Sequence, residues 1–251
     1  MFFRNLKILL KFIFGESMYR AITKWIDYII YAKRRYKYSS KSDARALAFN
    51  WKSTNFNRIA TLNLIACASK SQSYLEIGCS SNATFDSIPI LDKIGVDPFY
   101  GGNRRMTSDA FFENNAKRFD LIFIDGDHDY RQARRDLTNS LRVINEGGFI
   151  VLHDMLPRNW IESHVPIVTP GAWTGDVWKL AFELIHIEGI DFRIIKIDQG
   201  VGVIKIKGSR ISLGLDSFVS KSDFSYYYDN LQQLPMLDWH DAFAWLSDLR
   251  A

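Results

Sequence analysis

The chain has 251 residues, 47% of them hydrophobic and 24% charged, with a formal net charge of +4. That length suits one α/β domain with appendages, and that balance excludes disordered and collagen-like chains. No run approaches the roughly 18 uncharged apolar residues of a membrane-spanning helix.

The charge is unevenly spread. Met1 to Ser40 holds nine Lys or Arg against Glu16 and Asp27, a net +7, so the remaining residues sum to −3. The start, MFFRNLKILLKFIFG, has the look of a signal peptide, but Lys7 and Lys11 interrupt its apolar run and no small-residue cleavage site follows. Arg4, Lys7 and Lys11 share one face at helical spacing. Ile22, Trp25, Ile26, Ile29 and Ile30 then recur as the stripe of an amphipathic helix, which the run KRRYKY ends. Residues 1–55 thus read as a basic helical extension. It either lies on an anionic membrane surface or an acidic partner, or packs on the domain or on a second subunit.

A helix is predicted over Phe56 to Ala68. Four short apolar runs follow, each ending in glycine or aspartate: Ser73 to Gly78, Asp92 to Asp97, Phe119 to Asp125 and Gly147 to Asp154. These read as buried parallel strands. Between the last two, Tyr130 to Ile144 places Ala133, Leu137, Leu141 and Ile144 on one helical face. FRIIKI and VGVIKI flank Asp198, Gln199 and Gly200, the pattern of a β-hairpin. The prediction is an α/β fold with a Rossmann-like, doubly wound sheet, mostly parallel and closed by a C-terminal antiparallel hairpin. Residues 56–208 form its core, and 209–251 a C-terminal appendage in which DWHDAFAWL reads as a helix. Cys67 and Cys79 lack any metal or redox spacing and read as free buried thiols of a reducing, cytoplasmic compartment.

In open α/β sheets, ligands bind beyond the carboxyl ends of the strands. Glu76 and Gly78 lead into a turn where backbone can approach a ligand closely. Asp97 follows Gly78 by 19 residues, a spacing suited to gripping the two ribose hydroxyls of an adenosine; alone, it could simply start a turn before Pro98. LIFIDGDHDY gathers Asp125, Asp127 and Asp129 at the end of a buried strand, where like charges repel. His128, three residues past Asp125, is of the residue type that most often serves as a general base; the bland alternative is a surface residue capping the next helix. Asp125 and Asp154 end adjacent strands and could converge on a hard cation such as Mg²⁺, with Asp127, His153 or waters completing its shell. Otherwise His153 and Asp154 pair with each other or with substrate. In GAWTGDVWKL, Thr174 or Asp176 can cap a helix from Val177, and Trp173 and Trp178 offer flat apolar surfaces, although Trp178 also suits the core. His153, Trp173, Asp176 and Lys179 are candidate substrate contacts, whereas His164, His186 and His240 read as structural.

The motifs LEIGCSSNATF, MTSDAFFENN, FDLIFIDGDHDY, GGFIVLHDMLP and WTGDVWKL stand in that order between about Ser73 and Lys207. Together they resemble the class I S-adenosylmethionine-dependent methyltransferases, in a subfamily similar to the catechol-type O-methyltransferases. The resemblance implies that Glu76, Gly78 and Ser80 line the methionine end of the cofactor, with Asp97 on the ribose and Ser108 and Asp109 beside the adenine. It places Asp125 at the transferring methyl and matches His128 to a basic residue found three positions after that aspartate. The catechol-type enzymes also bind Mg²⁺ at the corresponding strand ends. Two departures stand out. Ser80 and Asn82 occupy positions where glycines often occur, and Met155 replaces an amide that would ligate the cation.

The function expected is methyl transfer to a hydroxyl of a small molecule or sugar, such as a unit of a surface glycan, with His128, Asp125 and Asp154 as catalytic residues. The competing expectation is a non-catalytic module on the same fold, docked to membrane or partner by the basic helices. A nicotinamide enzyme is disfavoured because GxGxxG is absent. Nucleic-acid methylation is disfavoured by the missing NPPY-type motif and by a slightly acidic main body.

Overall fold

Four parallel strands form the centre of the computed structural model, which describes residues 2–51, 53–208, 211–214 and 218–247, with side chains from residue 18 onward apart from residues 19 and 218. The first element, α1 (Phe2–Lys37), ends in Arg34, Arg35 and Lys37. Arg4, Lys7 and Lys11, expected to share one of its faces, lie outside the described side chains. An irregular stretch then crosses the domain surface, where Leu47, Phe49 and Trp51 pack on the core. Helix α2 (Arg58–Ala68) starts two residues later than predicted because the Asn57 side chain caps it, accepting from the backbone N–H of Ile59 and Ala60.

The chain continues through β1 (Ser73–Ile77), α3 (Ala83–Ser87), β2 (Asp92–Val96), α4 (Ser108–Asn114), β3 (Phe119–Ile124), α5 (Tyr130–Val143) and β4 (Ile144–Leu152). It then runs through α6 (Trp160–Ser163), α7 (Lys179–Leu184), β5 (Ile190–Ile195), β6 (Val201–Ile206), α8 (Phe224–Asn230), β7 (Met236–Leu237) and α9 (Trp239–Ser247). The seven strands lie in the order β2-β1-β3-β4-β6-β5-β7. β1 to β4 are mutually parallel, β6 runs antiparallel to both β4 and β5, and β7 adds parallel to β5. The segment 209–251, read as an appendage, therefore supplies an edge strand and a helix that packs against α2.

The two-residue period of the strands explains why both faces are covered. Leu75, Ile77, Ile122, Ile124, Ile150 and Leu152 point to one face, under α5 and α7. Tyr74, Leu121, Phe123, Phe149 and Val151 point to the other, under α2 and α9. Each such fully buried side chain contributes about 1.5–3 kcal/mol over an exposed one. Cys79 is buried as expected, but Cys67 is exposed: it lies on the outer side of α2, whose inner side is taken by Leu62, Ile65 and Ala66. β1 pairs with β2 on one side and β3 on the other, so the winding reverses there and leaves a crevice at the carboxyl ends.

Candidate active site

A cavity of about 800 Å³ occupies that crevice, lined by the ends of β1 to β4 together with Arg58 and Gln199. Its floor is a close approach of backbone. Gly78 adopts φ +87°, donates its N–H to the Val96 carbonyl at 2.9 Å, and would place a Cβ 2.2 Å from the Asp125 carbonyl oxygen. Only glycine lets the ends of β1 and β3 meet so closely.

Asp97 organises the next turn. Its Oδ2 accepts from the N–H of Cys79 (3.1 Å) and Ser80 (3.0 Å), and its Oδ1 from Phe99 and Tyr100, both at 2.8 Å. Burial raises its pKa, but the four donors prevail and hold it below the ordinary value. Asp97 thus lines the cavity as expected, with both oxygens already engaged. Ser80 also lines it, at φ +45°.

Glu76 sits beneath the cavity rather than in its lining. It is 1% exposed and accepts a hydrogen bond from the Tyr74 hydroxyl at 2.5 Å. Burial pushes its carboxyl up to about 8, against the pull of that hydroxyl. On the other side of the cavity, Ser108 and Asp109 are joined by Gln132, whose Nε2 donates to Ser108 Oγ (3.2 Å), Asp109 Oδ1 (3.3 Å) and Asp136 Oδ1 (3.1 Å). Asp136 is buried and raised to about 6 by desolvation.

The catalytic candidates meet where β3 and β4 end. His153 Nδ1 lies 3.2 Å from Asp125 Oδ1 and 3.3 Å from Asp154 Oδ2, and its Nε2 lies 2.8 Å from the Asp198 carbonyl. Burial alone would lower the His153 pKa; the two carboxylates overcome it and raise it well above the usual value. Both ring nitrogens then donate, as an imidazolium requires. Arg58 closes the cluster from the start of α2, bound to Asp198 Oδ2 at 2.7 Å and 3.5 Å from Asp125 Oδ2. Burial works to raise Asp125, but His153 and Arg58 hold it below its ordinary value.

His128 Nε2 lies 3.1 Å from Asp154 Oδ2 and 4.0 Å from Asp125 Oδ1. Its Nδ1, 3.0 Å from the Trp173 carbonyl, donates there, which directs Nε2 to the carboxylates. The Trp173 ring stacks on the imidazole at 4.9 Å. Asp129, not His128, caps α5. The TGD segment buttresses this loop. Gly175 (φ +60°) would set a Cβ 1.9 Å from the His128 carbonyl oxygen, Asp176 N–H donates to that oxygen at 3.1 Å, and Asp176 Oδ1 accepts from Tyr130 N–H at 2.6 Å.

Of the expected substrate contacts, His153 lines the cavity and Trp173 touches it through His128. Asp176 and Lys179 do not line it: they pair with each other at 2.7 Å, and Lys179 is buried and bonded to the Ser220 carbonyl. Neither Thr174 nor Asp176 caps α7, which begins at Lys179 with no side-chain cap. Trp178 is core, at 1% exposure. Arg58, Asp198, Gln132 and Asp136 escaped the sequence reading. Asp198 was legible only as a turn residue, and no local pattern ties Arg58 to a strand end 67 residues away.

Asp125, His128 and Asp154 each offer a donor atom within 4.8 Å of the others, and Asp154 Oδ1 is buried without a hydrogen-bond partner. Two carboxylates and an imidazole fit a divalent cation, and the imidazole is a softer donor than the oxygens that Mg²⁺ takes. Asp154 reaches this position in the left-handed conformation, φ +61°, which a non-glycine residue rarely adopts. Met155, which follows it, is fully buried and offers no hard oxygen to the cation.

Residues 82–155 match the family model described as a methyltransferase domain. An uncharacterized protein of Acanthamoeba polyphaga mimivirus is 37% identical over 49 residues, 20% of this chain, and the match spans only 22% of that relative's length. Cofactor-bound Rv0187 from MTB aligns over 64% of this chain and 85% of its own, at 14% identity and a TM-score of 0.44. The O-methyltransferase from Bacillus cereus in complex with SAH aligns over 63% and 85%, at 14% identity and a TM-score of 0.43. The segment similar to that family model runs from the turn after β1 through β4 and ends one residue past Asp154, taking in Asp97, Asp109, Asp125 and His128.

Proposed function

We propose that the protein is an S-adenosylmethionine-dependent O-methyltransferase, acting on a hydroxyl of a small molecule or of a sugar unit. The observation that carries this reading is the His128–Asp154 contact of 3.1 Å at the edge of a cavity built on the sheet's switch point. The cofactor side rests on three features. The cavity has the volume of a cofactor site. Its lining includes Asp97, Asp109, Asp125, Asp127 and Asp154 against few cations, a field that favours a sulfonium. Phe99, 78% exposed at the rim, offers a face for stacking.

In the reaction, an acceptor oxygen attacks the sulfonium methyl in line; the C–O bond forms as the C–S bond breaks, and neutral S-adenosylhomocysteine leaves. The hydroxyl proton passes to His128 Nε2. The Asp154 carboxylate, 3.1 Å from that same nitrogen, then accepts its hydrogen bond and stabilises the imidazolium. Nδ1–H on the Trp173 carbonyl fixes the tautomer in which Nε2 carries the lone pair. His153 and Arg58 hold the carboxylates of Asp125 and Asp198 in place and keep the cluster from excess negative charge. A divalent cation, held by Asp125 and Asp154 with His128 as third donor when not taking a proton, would acidify a bound hydroxyl.

The test is calorimetric titration of the purified chain with S-adenosylhomocysteine, followed by a screen of hydroxylated acceptors with methyl-labelled cofactor. Saturable binding with one site per chain is expected. A folded chain that does not bind it refutes the reading and leaves a non-catalytic module on this fold.

A further inference from the structure

Helix α1 carries an apolar stripe that is half-buried at Ile22 and Ile29 and exposed at Met18, Trp25 and Tyr36. At about 100° per residue, Met18, Ile22, Trp25, Ile29 and Tyr36 fall within about 40° of one line along the helix. Trp25 is 65% exposed, Tyr36 84% and Met18 54%, and Ile26 beside them is also exposed. Arg34 lies roughly opposite that line, and it is Arg34 that meets the domain: its Nη1 donates to the Ile167 carbonyl at 3.0 Å. Tyr38, just past the helix, packs its ring on His164 at 4.6 Å. The helix therefore meets the domain through Arg34 and its C-terminal end, and leaves Met18, Trp25, Ile26, Tyr28, Ile30 and Tyr36 exposed.

Charge decides what covers that side. Met1 to Ser40 carries a net +7 while the rest of the chain sums to −3. A second copy laid stripe to stripe would bring two such segments together, whereas an anionic surface is drawn to both the charge and the apolar face. Lys24, Lys33 and Lys37 are exposed along the same length of helix, where their stems can lie against lipid while the ammonium groups reach phosphates. Among the described residues, no helix is long and apolar enough to cross a membrane, so the contact is in-plane.

We infer that α1 is an interfacial anchor that lays Met18, Trp25 and Tyr36 into an anionic bilayer, with the methyltransferase domain held on the aqueous side through Arg34 and Tyr38. The test is vesicle co-sedimentation of the full chain, using phosphatidylcholine alone and phosphatidylcholine mixed with phosphatidylglycerol, at low and high salt. The anionic vesicles should bind at least about ten-fold more tightly, and the preference should shrink in high salt. The triple variant Met18→Ser, Trp25→Ser, Tyr36→Ser should lose binding about ten-fold or more with an unchanged far-ultraviolet spectrum and unchanged S-adenosylhomocysteine titration. The variant Lys24→Glu, Lys33→Glu should lose the lipid preference alone. Equal binding to neutral vesicles, or none to either, overturns the assignment. So does a full chain that sediments as a dimer and becomes monomeric in the triple variant without any change in vesicle binding.

Discussion

Glu76 allows a quantitative test of how the floor of the site is built. Its carboxyl is raised from 4.5 to about 8 by burial, with the Tyr74 hydroxyl as its hydrogen-bond donor. A raised carboxylate is bound as the neutral acid in the folded chain, while the unfolded chain ionises it freely. Below about pH 4.5 both states hold the proton and the group has no pH-dependent effect. As pH rises from there towards 8, the unfolded state loses its proton first, and stability falls by up to about 1.4 kcal/mol per unit. Above about 8 the folded state ionises as well and the loss levels off. The full difference corresponds to about 5 kcal/mol as a ceiling, since the buried site can relax. Glu76→Gln keeps the shape and a neutral acceptor for Tyr74 but cannot ionise. Urea unfolding of both proteins at pH 5, 6.5 and 8 should give closely similar stabilities at the lowest of these and a margin of several kcal/mol in favour of Gln at the highest. Parallel stability curves, or a variant that is weaker at every pH, would show that the folded chain holds Glu76 as a carboxylate and that burial does not dominate.

The remaining expectations concern the site itself. His128→Ala should lower turnover about 10²-fold or more, with S-adenosylhomocysteine affinity nearly unchanged; full turnover removes the base from His128. Gly175→Ala, which sets a Cβ 1.9 Å from the His128 carbonyl at φ +60°, should reduce turnover in the same direction without touching the cofactor titration. Turnover equal to wild type would mean that the TGD segment does not position His128. Asp97→Asn replaces one oxygen by an amide that faces two backbone donors, and should cost about 1–3 kcal/mol by thermal or urea unfolding together with cofactor affinity. Loss of affinity at unchanged stability would instead point to a direct ribose contact. Mn²⁺ titrated calorimetrically into the chain should bind once per chain, and Asp154→Asn should abolish that binding; binding that survives the substitution places the cation elsewhere.

The parts of the fold legible in the sequence are those whose energetics are local. Strands buried on both faces must be apolar throughout, so SYLEI, FDLIFI and FIVL announce themselves, and the flanking glycines and aspartates mark where the backbone turns into the crevice. The hairpin was equally plain, since Asp198, Gln199 and Gly200 all adopt positive φ at its turn. β7 was not legible: two residues after Pro235 carry no periodicity, and their pairing with β5 depends on where α8 delivers the chain. The lateness of α7 has a similar origin. Asp176, which suits a cap in isolation, spends its carboxylate on Tyr130 N–H and Lys179 instead. In each case a long-range contact outbid a local preference.

The same distinction explains the site. Asp125, His128 and Asp154 stand at or just past strand ends, where topology alone brings them together, and that much could be read from spacing. Their partners come from outside the strands' own pattern: Arg58 from the first turn of α2, Asp198 from the hairpin turn, and the Trp173 carbonyl from the loop before α7. Removing Arg58 would leave Asp125 and Asp198 facing each other across His153 with one cation fewer, and the imidazolium would have to balance both. The helix and the hairpin are therefore coupled to the reacting centre by charge as well as by packing. The TGD loop is coupled by the single carbonyl that keeps Nε2 of His128 turned towards Asp154. The charged and hydrogen-bonding partners of this strand-end cluster thus come from three segments that the strands' own sequence does not mention.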